Sequence, residues 1–510
     1  MDTFRDLALG FAVAFSLKNL MYCFIGALLG TVVGVLPGLG CAATIALLLP
    51  ITFYLNDTGA IIMLAGIYYG AMYGGSTTSI LFRIPGESTS VVTCLDGYEM
   101  AKKGRAGAAL GICAFGSFIA GTVGVFGLTF FAPRLAEWAL EFGPPEYCSL
   151  MILGMTLVTF LAKGSPLKTA MMAVFGMLLG TIGLDPVSSV ARLTFGSTQL
   201  MSGLHLVLLA MGMFGISEVF KLIEQPIHQE QVIKAPKGLF ALFPNLREWK
   251  DSFFPILRGT LLGFGVGTLP GGGAIISTFG AYGLEKRISK HPERFGHGAI
   301  EGVAGPEAAN NSASTGAFVP LLTLGIPSNG AIALLLGAIM IHGITPGPLL
   351  FKSRPDMFWG LIASMYIGNV MLLVLNLPLV GLFARIAYVP SSIMNPIIAY
   401  ICVFGAYGVS NNPFDIVIMA IFGIFGYFME KLDFEPAPLL LAFILGPMVE
   451  ETLRQSLIIS RGSFDIFFSR PISAVTMSVA ILLYLSPLMR KILKKRNTGS
   501  ESHDENNTEA

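Results

Sequence analysis

Two segments that cannot continue a membrane helix recur in the two halves of this chain, each set among long apolar stretches. The first is Gly34-Val35-Leu36-Pro37-Gly38-Leu39-Gly40, followed by Gly74-Gly75-Ser76-Thr77-Thr78-Ser79 and by Ile84-Pro85-Gly86-Glu87-Ser88. The second is Gly267-Thr268-Leu269-Pro270-Gly271-Gly272-Gly273, followed by Asn310-Asn311-Ser312-Ala313-Ser314-Thr315 and by Ile326-Pro327-Ser328-Asn329. A helix broken by Gly and Pro exposes backbone groups that hydrocarbon cannot satisfy. Such breaks survive only where they are buried in protein or line a watery cavity. Two of them at corresponding places point to the substrate site of a transporter.

The rest of the chain agrees with a membrane setting. Hydrophobic residues are 54% and charged residues only 12%, against about 25% charged in a soluble protein. Apolar runs of roughly 17–25 residues recur along nearly the whole length, which predicts an all-α polytopic protein with about ten to twelve membrane segments in a lipid bilayer. A net charge of +1 argues against a nucleic-acid partner. The six cysteines are scattered without metal-ligand spacing and read as small apolar side chains. His205 and His342 lack a second ligand at metal spacing and read as structural. The stretch Met1–Leu17 lacks the features of a cleaved signal peptide and is expected at the membrane interface.

Matched positions extend the repeat. Pro37 pairs with Pro270 (270 − 37 = 233), Pro85 with Pro327 (327 − 85 = 242), and Pro145 with Pro390 (390 − 145 = 245). The expected organisation is a first membrane repeat over 1–220, a basic cytoplasmic linker over 221–251, and a second repeat over 252–490. A basic, then acidic, disordered cytoplasmic tail over 491–510 follows. Loop charge predicts inversion. The loop at Asn56-Asp57-Thr58 holds no basic residue, whereas its counterpart carries Lys286, Arg287, Lys290 and Arg294, and Lys102, Lys103 and Arg105 follow the first Ile-Pro-Gly. Basic loops face the cytoplasm, so equivalent loops fall on opposite sides, as inverted-topology repeats require.

Within the breaks, Gly38-Leu39-Gly40-Cys41-Ala42-Ala43 has the letters of a dinucleotide-binding turn. That turn needs a strand before it, and here an apolar helix precedes it. A new helix N-terminus with free N–H groups, suited to an anion, is the better reading. The runs Ser76–Ser79 and Asn310–Thr315 offer hydroxyl and amide oxygens, either as polar glue between helices or as substrate and ion ligands. Asn311 and Ser314 are the expected Na+ ligands. Arg83 fits a bidentate carboxylate clamp or a pair with Glu87. Glu307 fits neutralisation of a cation or a helix cap. The sequence has no metalloprotease motif, no nucleophile elbow and no Walker A lysine. It therefore lacks the signature of a catalyst or of a pump's own ATPase, and no cofactor is expected.

At these residues the chain resembles the large membrane subunit of the tripartite tricarboxylate transporters of bacteria. The resemblance is carried by Gly30–Gly40, Tyr73–Ser79, Ile84–Glu87, Cys94–Tyr98, Gly305–Asn311, Thr323–Pro327 and Met340–Gly343. It implies a cation-coupled importer, generally with sodium, in the bacterial inner membrane. A solute-binding protein outside the membrane delivers an organic carboxylate, and a small membrane subunit completes the complex. Arg83 stands where the family more often shows Asn, and Ser328-Asn329 replaces a more usual Gly-Ser. The expected site is Pro37, Gly38, Gly40, Ser76–Ser79, Arg83, Pro85, Gly86, Pro270–Gly273, Glu307, Asn310, Asn311, Ser312, Ser314, Thr315, Pro327, Ser328 and Asn329. The competing reading is a membrane scaffold whose glycines only pack helices. An intramembrane enzyme is disfavoured for want of a nucleophile and base.

Overall fold

Glycines four residues apart put a smooth stripe along one side of a helix, and two helix pairs here are built on that stripe. The computed structural model describes residues 3–484, apart from 37, 162–164, 186–187, 225–232, 234–237, 272 and 388. Its first half holds α1 (Thr3–Ala14), α2 (Leu17–Val35), α3 (Cys41–Thr52), α4 (Asp57–Phe82), α5 (Thr93–Met100), α6 (Ala106–Ala139) and α7 (Leu206–Glu224). Its second half holds α8 (Leu246–Gly267), α9 (Gly273–Ile288), α10 (Glu301–Gly316), α11 (Phe318–Leu324) and α12 (Gly330–Ile341). There follow α13 (Pro355–Asn376), α14 (Pro413–Lys431) and α15 (Pro436–Ile459). Among the described residues seven helices are long and apolar enough to cross a membrane, so the chain is an all-α polytopic membrane protein. That count falls below the number of apolar runs because the breaks leave short apolar helices such as Cys41–Thr52 and Gly330–Ile341. The Pro37 and Gly272 positions, Lys234 and Lys237 of the linker and the tail from 485 lie outside the described residues.

The stripe on α2 is Gly26, Gly30 and Gly34, facing the carbonyl oxygens of Met63, Ile67 and Ala71 on α4; a Cβ on Gly30 would stand 2.5 Å from the Ile67 oxygen. In the second half Gly259, Gly263 and Gly267 on α8 face the carbonyls of Gly305, Ala309 and Ala313 on α10. The glycines of the two stripes are 233 residues apart (259 − 26 = 233) and their partners 242 apart (305 − 63 = 242). These are the separations of the first two proline pairs, Pro37/Pro270 and Pro85/Pro327. Helix ends repeat as well. Gly38 and Gly271 have φ of +91° and +101°, and Arg83 and Gly325 end their helices at φ of +58° and +68° just before Ile-Pro.

This register corrects one expectation. At 242 residues, Asn310–Thr315 correspond to Tyr68–Tyr73, and Gly74–Ser79 correspond to Gly316–Leu321. The two polar runs are therefore not equivalent positions. Backbone contact through the glycines sets the pairing, and matching by polarity alone put unlike positions together.

The equivalent helices α4 and α10–α11 lie side by side and run in opposite directions. Ser76 donates to Glu307 at 2.6 Å, and the Tyr68 ring sits 5.9 Å from that of Phe318. A step back along α4 is thus a step forward along its partner. The halves also clasp each other reciprocally. Asp96 on α5 accepts the N–H groups of Gly296, Gly298 and Ala299 at 2.9, 2.7 and 2.8 Å, in the loop between α9 and α10. Asp57, after the loop from α3, is held by Arg354 at 3.1 Å and lies 3.3 Å from His342, both beyond α12. The α1 helix packs on α13, with Gly10 against the Trp359 carbonyl.

Candidate functional site

A cavity of about 620 Å³ opens where the broken segments of both halves meet. From the first half its wall takes Gly38, Cys41, Ala42 and Ala43 with Gly86, Glu87, Ser88 and Thr89. From the second it takes Gly271, Ala274, Ile275 and Ile276 with Ser328, Asn329, Gly330 and Ala331. Each of the first eight has its counterpart among the second eight at the 233- or 242-residue separation. This part of the wall therefore takes corresponding positions from the two halves, while Gly40, Pro85, Tyr68 and Met72 line it without their counterparts. Tyr68 and Met72 of α4, Val158, Phe214 and Leu441 give it apolar surface.

The breaks are shaped by the segments behind them. Gly271 donates its N–H to the Ser328 carbonyl at 2.8 Å. The matching tie in the first half uses a side chain: Cys41, the first residue of α3, donates its N–H to the Glu87 carboxylate at 2.5 Å. Asn329 caps α12 by accepting the Ile332 N–H at 3.0 Å, and its amide donates to the Tyr68 hydroxyl at 3.0 Å. Ser328 is buried on the wall, and its hydroxyl has no hydrogen-bond partner among the described residues. The first turns of α3, α9, α12 and α15 all reach the cavity, so several N-termini favour negative charge there.

Among the described residues, four acids and one base stand on this wall: Glu87, Glu218, Glu430, Glu435 and Lys221. Lys221 pairs with Glu218 and, at 2.7 Å, with Glu430 of α14. A Cβ on Gly38 would stand 2.7 Å from the Glu218 carboxylate, so Gly38 is required both by its φ and by its neighbour. Sequence reasoning missed this cluster because Lys221 was assigned to the linker, whereas α7 stays helical through Glu224. The available signal was an acid and a base three residues apart at the end of an apolar helix.

Of the expected site residues, Gly38, Gly40, Pro85, Gly86, Gly271, Ser328 and Asn329 line the cavity. Pro270 and Pro327 flank wall residues, and Gly273 opens α9 against the Val266 carbonyl. The polar runs sit within α4 and α10, off the wall. Thr78 and Ser79 donate to the Gly75 carbonyl at 3.2 and 2.9 Å, and Thr77 lines a void of about 20 Å³ with Ser76. Ser314 and Thr315 donate to the Asn311 carbonyl at 2.7 and 3.1 Å. Asn311 donates to Ser117 at 2.7 Å, and Ser312 to the Thr260 carbonyl at 2.7 Å. Asn310 is buried with neither amide atom partnered among the described residues. Glu307 is fully enclosed and accepts from the hydroxyls of Ser76 and Thr93. Arg83 makes no ion pair with Glu87 among the described residues; its guanidinium lies 5.7 Å from the centre of the Tyr98 ring.

This wall, with its two pseudo-equivalent sides, falls wholly inside the span matched by a family model. The model for the tripartite tricarboxylate transporter TctA family matches residues 20–441. The chain belongs to the TctA family. It is similar to a protein of Agrobacterium vitis described as an uncharacterized 52.8 kDa protein in the TAR-I ttuC' 3' region, at 48% identity over 497 residues and 98% of each chain. A second Agrobacterium vitis protein, described as uncharacterized in the TAR-II ttuC' 3' region, is 48% identical over 232 residues, 46% of this chain and 96% of that one. No solved structure matches. Ser328-Asn329, which the resemblance marks as unusual, stands on the wall, and Arg83, marked likewise, stands off it.

Proposed function

We propose that this chain is the large membrane subunit of a sodium-coupled secondary importer of organic carboxylates in the bacterial inner membrane. It works with a small membrane subunit and with a solute-binding protein on the outer side. The observation that carries this reading is the cavity wall made of equivalent broken segments from both halves. A site at the junction of repeats, ringed by helix N-termini, is the arrangement by which a transporter holds an anion.

Inverted topology is part of the proposal. The α4 helix has 26 residues, about 39 Å at 1.5 Å per residue, enough to span the hydrocarbon. Asp57 begins it, while Asp96 lies near its other end, because Gly97 packs against Ile80. The basic loop after α9 is therefore held at one end, together with Lys103, which donates to the His297 carbonyl at 2.5 Å. The equivalent acidic loop at Asp57 is held at the other end. By charge, the first end is cytoplasmic. Ile233, in the connection between the halves, bonds the Leu81 carbonyl at that same end. The cavity reaches the end of α7 that leads into this connection, so the conformation is read as inward-facing.

The test is uptake of radiolabelled citrate, and of a panel of other carboxylates, in cells expressing the chain with its small subunit and binding protein. Uptake that needs a sodium gradient and the binding protein is the expected result. Uptake of none of these carboxylates by an intact, membrane-inserted complex would leave the scaffold reading in its place.

A further inference from the structure

We infer that the first-half side of the cavity is the seat of the coupling sodium ion and that Glu87 is its charged ligand. The inference rests on the importer reading above.

Glu87 is 8% exposed and stands on the wall at the level of the breaks. Among the described residues no lysine, arginine or histidine pairs with it. The base nearest in sequence, Arg83, is turned onto Tyr98. Two other acids of the wall, Glu218 and Glu430, already share Lys221. An ionised carboxylate inside a membrane protein is costly without a positive partner, and such a residue marks an ion pathway by default. The N-terminus of α3 offsets only part of the charge, through the Cys41 N–H.

Divergence between equivalent positions says what the charge is for. The counterpart of Glu87 is Asn329, which caps a helix and ties to Tyr68 without any charge. The fold therefore does not demand a carboxylate at this position. One oxygen of Glu87 takes the Cys41 N–H. Both oxygens lie beside the break, 3.8 and 3.9 Å from where a Cβ on Gly40 would stand. Unwound backbone offers oxygen ligands of the kind a hard cation takes. The same cavity holds an independent sign of a ligand: the buried, unpartnered hydroxyl of Ser328, on the neutral second-half side. A sodium ion at Glu87 and a carboxylate toward Ser328 would offset each other's charge, so each strengthens binding of the other.

Equilibrium binding of ²²Na⁺ to the purified full chain in detergent tests the assignment. Glu87→Gln keeps an acceptor for the Cys41 N–H and removes only the charge. It is expected to raise the half-saturating sodium concentration at least about tenfold without loss of the folded protein. Ser328→Ala is expected to leave sodium binding within about twofold. If Glu87→Gln binds ²²Na⁺ as the native chain does, Glu87 is only a helix cap and the seat is overturned, with sodium coupling itself intact. If the native chain binds no ²²Na⁺, the seat and the sodium reading fall together.

Discussion

At the scale of single residues, backbone conformation separates parts that composition ran together. Arg83 occupies the left-handed position that Gly325 fills in the other half, and its side chain packs over Tyr98 outside the cavity. Arg83→Gly is therefore expected to leave the KM for the transported carboxylate within about twofold. Loss of a direct charged contact would raise it roughly 10- to 100-fold, so uptake kinetics decide between these roles. Glu87, which reaches back to Cys41, was read only as a partner for Arg83 and left out of the expected site for a related reason. Its role is set by a contact across 46 residues, and only its place after Pro85-Gly86, inside an apolar region, hinted at it. The hydroxyl runs lie off the cavity wall. In a helix, Ser and Thr can satisfy themselves on a carbonyl one turn back, as Ser79 and Thr315 do here.

At the scale of elements, the Gly and Pro breaks were legible because few other residues allow those geometries, and the pairs Pro37/Pro270 and Pro85/Pro327 have the separations that the glycine stripes show. Hydropathy was a poorer guide. The α4 and α10 helices are among the most enclosed in the molecule, yet neither is among the seven spans found by length and apolarity. A helix surrounded by protein has no lipid to satisfy, so it can carry Gly, Ser, Asn and Glu. Its tolerance for side-chain volume is correspondingly small. A Cβ on Gly263 would strike the Ala309 carbonyl, whereas one on Gly265, in the same helix, meets nothing within 4 Å. Gly263→Val is expected to destabilise the protein by about 1–3 kcal/mol or more, and Gly265→Val by less than about 0.5 kcal/mol. Thermal unfolding of the two variants in detergent, compared with the native chain, checks this; equal midpoints would mean the stripe is not a close backbone contact.

At the scale of the whole molecule, the proposed inverted arrangement makes a sided prediction. The six native cysteines are all buried, and Asn56 and Lys290 are exposed. A membrane-impermeant maleimide is expected to label Asn56→Cys in intact cells and Lys290→Cys only after permeabilisation. Labelling of both from one side would reject inversion. The reciprocal clasps carry a consequence for biosynthesis. Asp96 finds its three N–H donors only in the loop at 296–299, and Asp57 finds Arg354 and His342 only beyond α12. A ribosome delivers the first half long before those partners exist. Until then α4 sits in the bilayer with Ser76 lacking Glu307 and Tyr73 lacking Asn369, its hydrogen-bond acceptor at 2.6 Å. The first half is thus a waiting guest of the insertion machinery rather than a finished domain. Two separately translated halves should each be degraded when made alone and rescue one another when made together.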